Sequence, residues 1–309
     1  MDIYQSLKEL PVHSRFVLAM GFFDGCHLGH RKLFEKVKSL ALAEGALPGV
    51  LTFWPHPLSV LAPDIHVPLL QDRKEKEQSF EKAGMKLALF LAPNREFLAK
   101  PAETFLEELA ALPGLAGIVT GENFTFGHGA LGNSPMLLEF FQHTPIRAEV
   151  VPLFSEDGEI VSSTAIRSFI QKGNMTEAAH LLGRFYTTSG DIVHGFHRGT
   201  DILGFPTANL ELPENHVCPA DGVYATEAII HGRTYPAITN VGTNPTFGNE
   251  ERTIETFIFH FDESIYGRPF TLRWIRRLRG EIRFPSADAL REQIAKDVRE
   301  AERILATVK

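Results

Sequence analysis

An α/β first half followed by a β-rich second half that closes with a helix is the fold class this sequence predicts. Three observations carry it. Up to Ser162, short apolar runs alternate with amphipathic stretches of helical spacing. A glycine-rich turn joins the first strong strand to the first helix, over Gly21-Phe22-Phe23-Asp24-Gly25-Cys26-His27-Leu28-Gly29-His30. From Tyr186 onward, extended segments are punctuated by glycine, proline and asparagine.

The elements follow in order. Strands are expected at Phe16–Met20, Val50–Phe53, Leu87–Leu91, Gly117–Thr120 and Ala148–Leu153. Several are continuously apolar, as strands of a parallel sheet covered on both faces must be. A helix is expected over Arg31–Glu44, where Leu33, Val37 and Leu40 share a face and Gly45 stands as the stop. Another opens near Pro101 and carries the stripe Phe105, Leu106, Leu109 and Leu112. Such alternation implies βαβ units with ligands at the carboxyl ends of the strands. Ser163 is a plausible N-cap for a helix Thr164–Lys172, and a short helix Thr176–Leu182 runs to Gly183. Strands are then expected at Gly222–Ile230, Tyr235–Val241, Thr253–Phe261 and Phe270–Leu278. The last helix starts at Ser286, with Leu290, Ile294, Val298, Ala301 and Leu305 on one face. The domain boundary is placed at Gly183, giving 1–183 and 184–309.

Composition narrows the function classes. A chain of 309 residues exceeds one ordinary core, so two domains are expected. The net charge of -7 disfavours a dedicated nucleic-acid or anionic-membrane binder. Two cysteines, Cys26 and Cys218, make no disulfide framework. The N-terminus shows no signal-peptide pattern and no apolar run reaches membrane-spanning length, so a cytoplasmic location is expected.

The glycine-rich turn is the most informative stretch. A turn leading from strand to helix N-terminus offers free N–H groups and the positive end of a dipole, which favour a bound phosphate. Histidines placed there can donate to phosphoryl oxygens as charge develops. An H-x-G-H pair also suits a metal, but zinc needs three or four protein ligands and no cysteine or carboxylate cluster lies nearby. Three more segments fall at the same sheet edge or beside it: Thr52-Phe53-Trp54-Pro55-His56-Pro57, Gly121-Glu122-Asn123-Phe124-Thr125-Phe126-Gly127 and Ser162-Ser163-Thr164-Ala165-Ile166-Arg167. Taken singly, Ser163 can be a cap, and His56 and Asn123 can be turn residues.

The glycine-rich turn resembles the signature of nucleotidyltransferases, and the four segments in this order resemble the adenylyltransferase half of the prokaryotic bifunctional riboflavin kinase/FAD synthetase family. The resemblance implies a Rossmann-like nucleotidyltransferase domain that moves AMP from ATP onto FMN and releases pyrophosphate. It assigns His27 and His30 to the α-phosphate during in-line attack. It assigns Gly21, Phe23, Asp24, Gly29, His56, Asn123, Ser163, Thr164 and Arg167 to the nucleotide. Ala165 departs from the family, which often has a basic residue there.

In the second half, Leu203-Gly204-Phe205-Pro206-Thr207-Ala208-Asn209 places a hydroxyl and an amide two positions apart after a constrained turn. Hard oxygen donors of this kind suit Mg²⁺, and they also occur in ordinary turns. Glu255 precedes Phe257, Phe259 and Phe261 at alternate positions, so a shared apolar face should raise its pKa toward that of a general base, although the pattern alone fits an exposed glutamate at a strand end better. These segments, with Gly190–Gly195, Gly222-Val223-Tyr224, Asn240-Val241-Gly242, Pro245-Thr246-Phe247, Tyr266-Gly267 and Leu278-Arg279, resemble the riboflavin kinase domain of the same family.

That resemblance implies a small antiparallel β-barrel followed by a helix. It gives Gly195, Gly204, Thr207 and Asn209 to the nucleotide, Thr207 and Asn209 to Mg²⁺, and Arg279 and Tyr224 to the flavin. Glu255 would deprotonate the ribityl hydroxyl that attacks the γ-phosphate. The loop from His197 to Leu203 lacks the arginine usual after the first glycine of the family's loop. Losing one charge-assisted phosphate contact costs about 1.5–3 kcal/mol, which slows a kinase without abolishing it. The cluster Arg273, Arg276, Arg277, Arg279 and Arg283 invites a nucleic-acid reading, but acidic residues outnumber basic ones from 188 onward.

The expected partners are therefore riboflavin, FMN and ATP, with FAD as final product and neither nucleic acid nor membrane. The competing readings are an enzyme with one working half and a flavin-binding regulatory protein.

Overall fold

The computed structural model describes residues 1–193, 208–212, 215–243, 252–261, 263 and 269–308, in two compact units, Met1–Ser163 and Thr164–Lys309.

The first unit is built on a six-stranded parallel sheet. Its strands are β1 (Asp2–Tyr4), β2 (Phe16–Met20), β3 (Leu47–Phe53), β4 (Leu87–Leu91), β5 (Leu115–Gly121) and β8 (Arg147–Val151), in the order β1-β4-β3-β2-β5-β8. Two small hairpins, β6 (Thr125–Phe126) with β7 (Gly132–Asn133) and β9 (Ser155–Glu156) with β10 (Glu159–Ile160), sit outside it. Every residue of β2 is buried, and its side chains divide between two cores. Phe16, Leu18 and Met20 join one, with Phe105, Leu106 and Leu109 of α5 (Ala102–Ala110) and Leu137 of α6 (Ser134–Phe141). Val17 and Ala19 join the other, with Leu33, Phe34 and Val37 of α1 (Leu28–Ala43) and Phe80 of α3 (Arg73–Lys82). Period-two alternation under two helical layers is what makes this strand apolar throughout. The order reverses at β2, whose neighbours are β3 and β5, so the open edge beyond its carboxyl end is the natural ligand crevice.

β2, β3, β4, β5 and β8 stand where the sequence places them, within a few residues at their ends, and β1 is an addition it does not foretell. β8 is shorter than expected and only partly buried, as the outer strand of a sheet can be. Charge concealed α3, because Arg-Lys-Glu-Lys-Glu-Gln-Ser-Phe-Glu-Lys buries only Lys76 and Phe80. The short helices α2 (Pro57–Leu61) and α4 (Arg95–Leu98) are set by the caps His56 and Asn94, whose side chains accept from the first turn.

In the second unit, α7 (Ser163–Gln171, its first residue shared with the boundary) and α8 (Met175–Leu182) precede a closed antiparallel barrel. Its strands are β11 (Tyr186–Val193), β12 (Ala208–Leu210), β13 (Gly222–Ile230), β14 (Arg233–Thr243), β15 (Arg252–Ile258) and β16 (Pro269–Arg279), closing in the order β11-β12-β15-β14-β13-β16. Large apolar residues fill it, Trp274, Tyr186 and Tyr224 among them, and their polar atoms are satisfied. Trp274 donates to Thr188 at 3.0 Å, Tyr186 to the Val217 carbonyl at 2.7 Å, and Thr226, Thr239 and Thr256 form a hydroxyl chain at 2.8 and 2.9 Å. The closing helix α9 (Ala287–Leu305) is capped by Ser286 and packs Ala301, Ile304 and Leu305 against Val223, Ala225, Ile238 and Ile275 on the outside of the barrel.

One expected alignment forms only in part, with Phe257 and Phe259 packed together at 5.6 Å in one cluster. β15 ends at Ile258, and His260 turns the chain with φ 55°. Glu255 and Phe257 therefore share a strand face, while Phe259 lies buried beyond the strand and Phe261 stacks edge-on with Tyr235.

Candidate functional site

The glycine-rich turn leaves β2 at the reversal point and enters α1 through a tight 3-10 turn over Asp24–Cys26. Two side-chain facts explain its glycines. A Cβ at Gly21 would stand 2.9 Å from the Phe23 ring, and one at Gly29 would stand 3.2–3.3 Å from the His27 imidazole. Phe23 adopts φ 55° and is held there by rings on three sides, His30 at 5.2 Å, Phe34 at 5.2 Å and Phe80 at 5.8 Å. Asp24 is buried, and its carboxylate accepts the Leu70 N–H at 2.9 and 3.1 Å. The Asp24 carbonyl accepts from the Ser163 hydroxyl at 2.9 Å, so Ser163 ties its segment to the turn rather than capping the helix it begins.

His27 is the N-cap of α1; its Nδ1 accepts the His30 N–H at 3.3 Å. In the neutral ring this puts the proton on Nε2. The two imidazoles stack at 3.6 Å with an 18° tilt. His30 is partly exposed as a residue, yet its Nδ1 is shut off from solvent and has no hydrogen-bond partner among the described residues. Burial, reinforced by His27 and Lys76, holds the His30 pKa well below the usual histidine value. A histidine stack at a helix N-terminus, with His30 held neutral by burial, is poised to gain charge when an anion arrives.

The other expected residues lie on separate elements. His56 follows β3, accepts the Leu58 N–H at 3.1 Å and sets its ring edge on Phe22 at 4.2 Å. Asn123 is exposed in the turn after β5, its Oδ1 beside Gly121. Thr164 is exposed and Arg167 half-buried in the first turns of α7.

Beside them lies a feature that periodicity hid. A pocket of about 360 Å³ opens where Phe53, Leu58, Phe97, Phe105 and Phe126 meet, with Lys100 at its wall. The rings form a continuous run, Phe53 to Phe97 at 5.7 Å, Phe97 to Phe105 at 5.9 Å and Phe105 to Phe126 at 5.8 Å. Phe53 ends β3 and Phe126 follows β5, so the pocket shares the crevice edge with the histidines. Phe53 and Phe126 fall in segments expected at the sheet edge and Phe105 in a helical stripe, and no periodicity marks these phenylalanines as one lining. A flat aromatic ligand fits such a lining.

In the second unit, strand register assembles a row across the barrel. Asn209 of β12 pairs with Glu255 of β15, Glu255 with Asn240 of β14, Asn240 with Val223 of β13, and Val223 with Arg279 of β16. Directly opposed residues point the same way, so an amide, a carboxylate, a second amide and a guanidinium share one face. It is the outer face, since Thr256 beside Glu255 turns inward and α9 packs on Val223. Arg279 is held by Asp297 of α9 at 2.8–2.9 Å, and Asp297 also accepts from Gln293 at 2.8 Å. Tyr224 points the other way. Its ring is fully buried against Trp274 at 5.2 Å, its hydroxyl donates to the Ala220 carbonyl, and burial pushes its pKa up to about 12. Gly195, Gly204 and Thr207 lie outside the described residues.

One consequence concerns Gly29. Alanine there improves helix propensity by about 1 kcal/mol but presses on the His27 ring. Gly29→Ala is expected to leave thermal stability unchanged or higher and to lower turnover at the histidine site roughly 10- to 100-fold, as small misplacements do. Steady-state kinetics beside a melting curve checks it.

Comparison with known proteins joins the two sites. A family model described as FAD synthetase matches residues 10–165, and one described as Riboflavin kinase matches residues 182–305. The chain is 33% identical to the bifunctional riboflavin kinase/FMN adenylyltransferase of Bacillus subtilis (strain 168), over 98% of this chain and 96% of that protein. It is 32% identical to the protein of the same name from Escherichia coli (strain K12), over 91% of this chain and 90% of that protein. A crystal structure named Macrolide-efflux Protein from Streptococcus pneumoniae superposes with a TM-score of 0.88 at 32% identity, covering 97% of this chain and 98% of that one.

Proposed function

The chain belongs to the bifunctional riboflavin kinase/FMN adenylyltransferase family, and from that premise we propose how its residues divide the two reactions. The enzyme phosphorylates riboflavin to FMN with one ATP and adenylylates FMN to FAD with a second. Residues 1–183 form the adenylyltransferase half and 184–309 the kinase half; the matched segments end at 165 and begin at 182, with α7 and α8 spanning the join.

Adenylyl transfer takes place at the turn between β2 and α1. The FMN phosphate attacks the α-phosphorus of ATP in line, the bond to the bridging oxygen breaks, and pyrophosphate leaves with that electron pair. His27 donates from Nε2, and His30, neutral in the free protein, becomes favourably charged only as the anion fills the site. Gly21, Phe23, Asp24 and Gly29 shape the turn, and His56, Asn123, Ser163, Thr164 and Arg167 complete the nucleotide's surroundings. The aromatic pocket takes the isoalloxazine ring of FMN, since it is flat, apolar and on the same edge. The stacked pair His27/His30 is the observation that carries this half.

Riboflavin phosphorylation takes place on the outer row of the barrel. Glu255 accepts the proton of the ribityl hydroxyl as that oxygen attacks the γ-phosphorus and ADP departs. Arg279, oriented by Asp297, contacts the flavin, while Tyr224 supports the strand from inside. Asn209 and Glu255 bring hard oxygen donors to one face, a donor set that suits Mg²⁺. Asn209 and Thr207 would hold the ion, which neutralises charge on the β- and γ-phosphates when bound. Gly195 and Gly204 are assigned to the ATP phosphates. No described helix is long and apolar enough to cross a membrane.

Chromatography of riboflavin incubated with ATP, Mg²⁺ and the pure protein tests the whole reading. FMN and FAD are both expected. FAD only from supplied FMN would mean the kinase half is inactive, and no product from either riboflavin or supplied FMN would mean neither half turns over.

A further inference from the structure

Lys76 is a buried cation to which neither reaction above gives a part. It sits on α3 with no exposed surface. Its Nζ donates to the Phe22 carbonyl at 2.8 Å, 3.7 Å from the centre of the Phe22 ring and 5.4 Å from that of Trp54. The Thr52 hydroxyl donates to the same carbonyl at 3.0 Å. Two side chains, from α3 and β3, therefore fix one peptide plane inside the glycine-rich turn.

That plane matters because the peptide bond between Phe22 and Phe23 is trans. Its N–H points opposite to its carbonyl, so an inward carbonyl turns the Phe23 N–H away from Lys76. Turns that bind anions do so with N–H groups, and a single flipped peptide would offer an oxygen to an oxygen. Phe23 at φ 55° is already in a sparsely populated conformation, and a plane beside such a residue needs holding. Burying an ammonium is costly, and a neutral donor such as Thr52 can bond a carbonyl more cheaply. Asp24 and Cys26 from the turn and His30 from α1 are the titratable groups that face Lys76. Placed so, the charge adds to the pull on an incoming phosphate while disfavouring premature protonation of His30.

We propose that Lys76 is a positioning residue for adenylyl transfer: with Thr52 it keeps the Phe22 carbonyl turned inward, so that the glycine-rich turn meets the triphosphate with N–H groups. This rests on the assignment of that turn to ATP, and the test separates the two. Burial lowers the Lys76 pKa to about 8, with Asp24 and Cys26 pulling the other way. The charge is thus lost as pH rises through about 8. Because the unfolded chain holds this proton up to about pH 10.4, folding stability rises over the same window. Activity and stability then move in opposite directions with pH.

The experiment uses the full chain with Lys76→Met, Thr52→Val and His30→Ala, each assayed for FMN adenylylation and riboflavin phosphorylation between about pH 7 and 9.5. Lys76→Met is expected to raise KM for ATP in adenylylation roughly 10- to 100-fold, and Thr52→Val to raise it several-fold, with phosphorylation unchanged. The wild type should show an alkaline fall in kcat/KM near pH 8 that Lys76→Met lacks. A wild-type KM in Lys76→Met, or the same alkaline fall in it, overturns the proposal while His30→Ala still tests the site. If His30→Ala also adenylylates normally, the assignment of the turn to ATP falls with it. If Lys76→Met does not fold, losing both activities, Thr52→Val decides: a wild-type KM for ATP overturns the proposal.

Discussion

Glu255→Gln is expected to lower riboflavin phosphorylation roughly 10²- to 10⁴-fold, the usual worth of a general base, and to leave adenylylation of supplied FMN at the wild-type rate. The substitution is nearly isosteric. It keeps the strand pairing with Asn209 and Asn240, and the buried neighbours Ile254, Thr256 and Ile258 are untouched. What it removes is the one carboxylate in a row otherwise made of amides, an apolar residue and a guanidinium. Separate assays with riboflavin and with FMN measure the two rates on one preparation. Equal losses in both would refute independent sites, and an undiminished kinase would place the base elsewhere.

His30→Ala is expected to do the reverse, lowering FMN adenylylation roughly 10²- to 10³-fold while riboflavin phosphorylation persists. The ring stacks on His27 and its neighbour groups hold it neutral in the free protein. The same burial has a measurable effect on stability. The folded-state pKa is depressed, so the unfolded chain takes up the proton first as pH falls. Stability contributed by the neutral ring is therefore lost progressively below about pH 6.5, through the window between the unfolded and folded values. Urea midpoints measured against pH should flatten over that window in His30→Ala. An identical acid slope in variant and wild type would mean the ring is solvated, contrary to the burial of its Nδ1.

Much of the scaffold was legible because it rests on local rules. β2 and β4 are uniformly apolar and wholly buried, and β13 is nearly so. Ser286 caps α9 through the Ala289 N–H at 3.2 Å. The turn from β2 to α1 was readable because several glycines and two histidines at fixed spacing leave few physical alternatives. Three things were not. α3 has no signal in the sequence, since nothing in a run of lysines and glutamates marks Lys76 as the buried one. The aromatic pocket is invisible in the sequence, because a phenylalanine lining a crevice has the same periodicity as one filling a core. Glu255 was expected on a longer phenylalanine face, which the turn at His260 cuts short.

The division has a physical basis. Strand and helix identity, caps and the phosphate-friendly turn depend on neighbours a few residues apart, and the amino-acid order settles them. Which side chains meet depends on strand register and on which helix covers which face. Asn209, Glu255, Asn240 and Arg279 are scattered over seventy residues of chain, and only the hydrogen-bond ladder of the closed barrel lines them up. Lys76 and Phe22 lie 54 positions apart, and only the packing of α3 on the sheet brings the ammonium to the carbonyl.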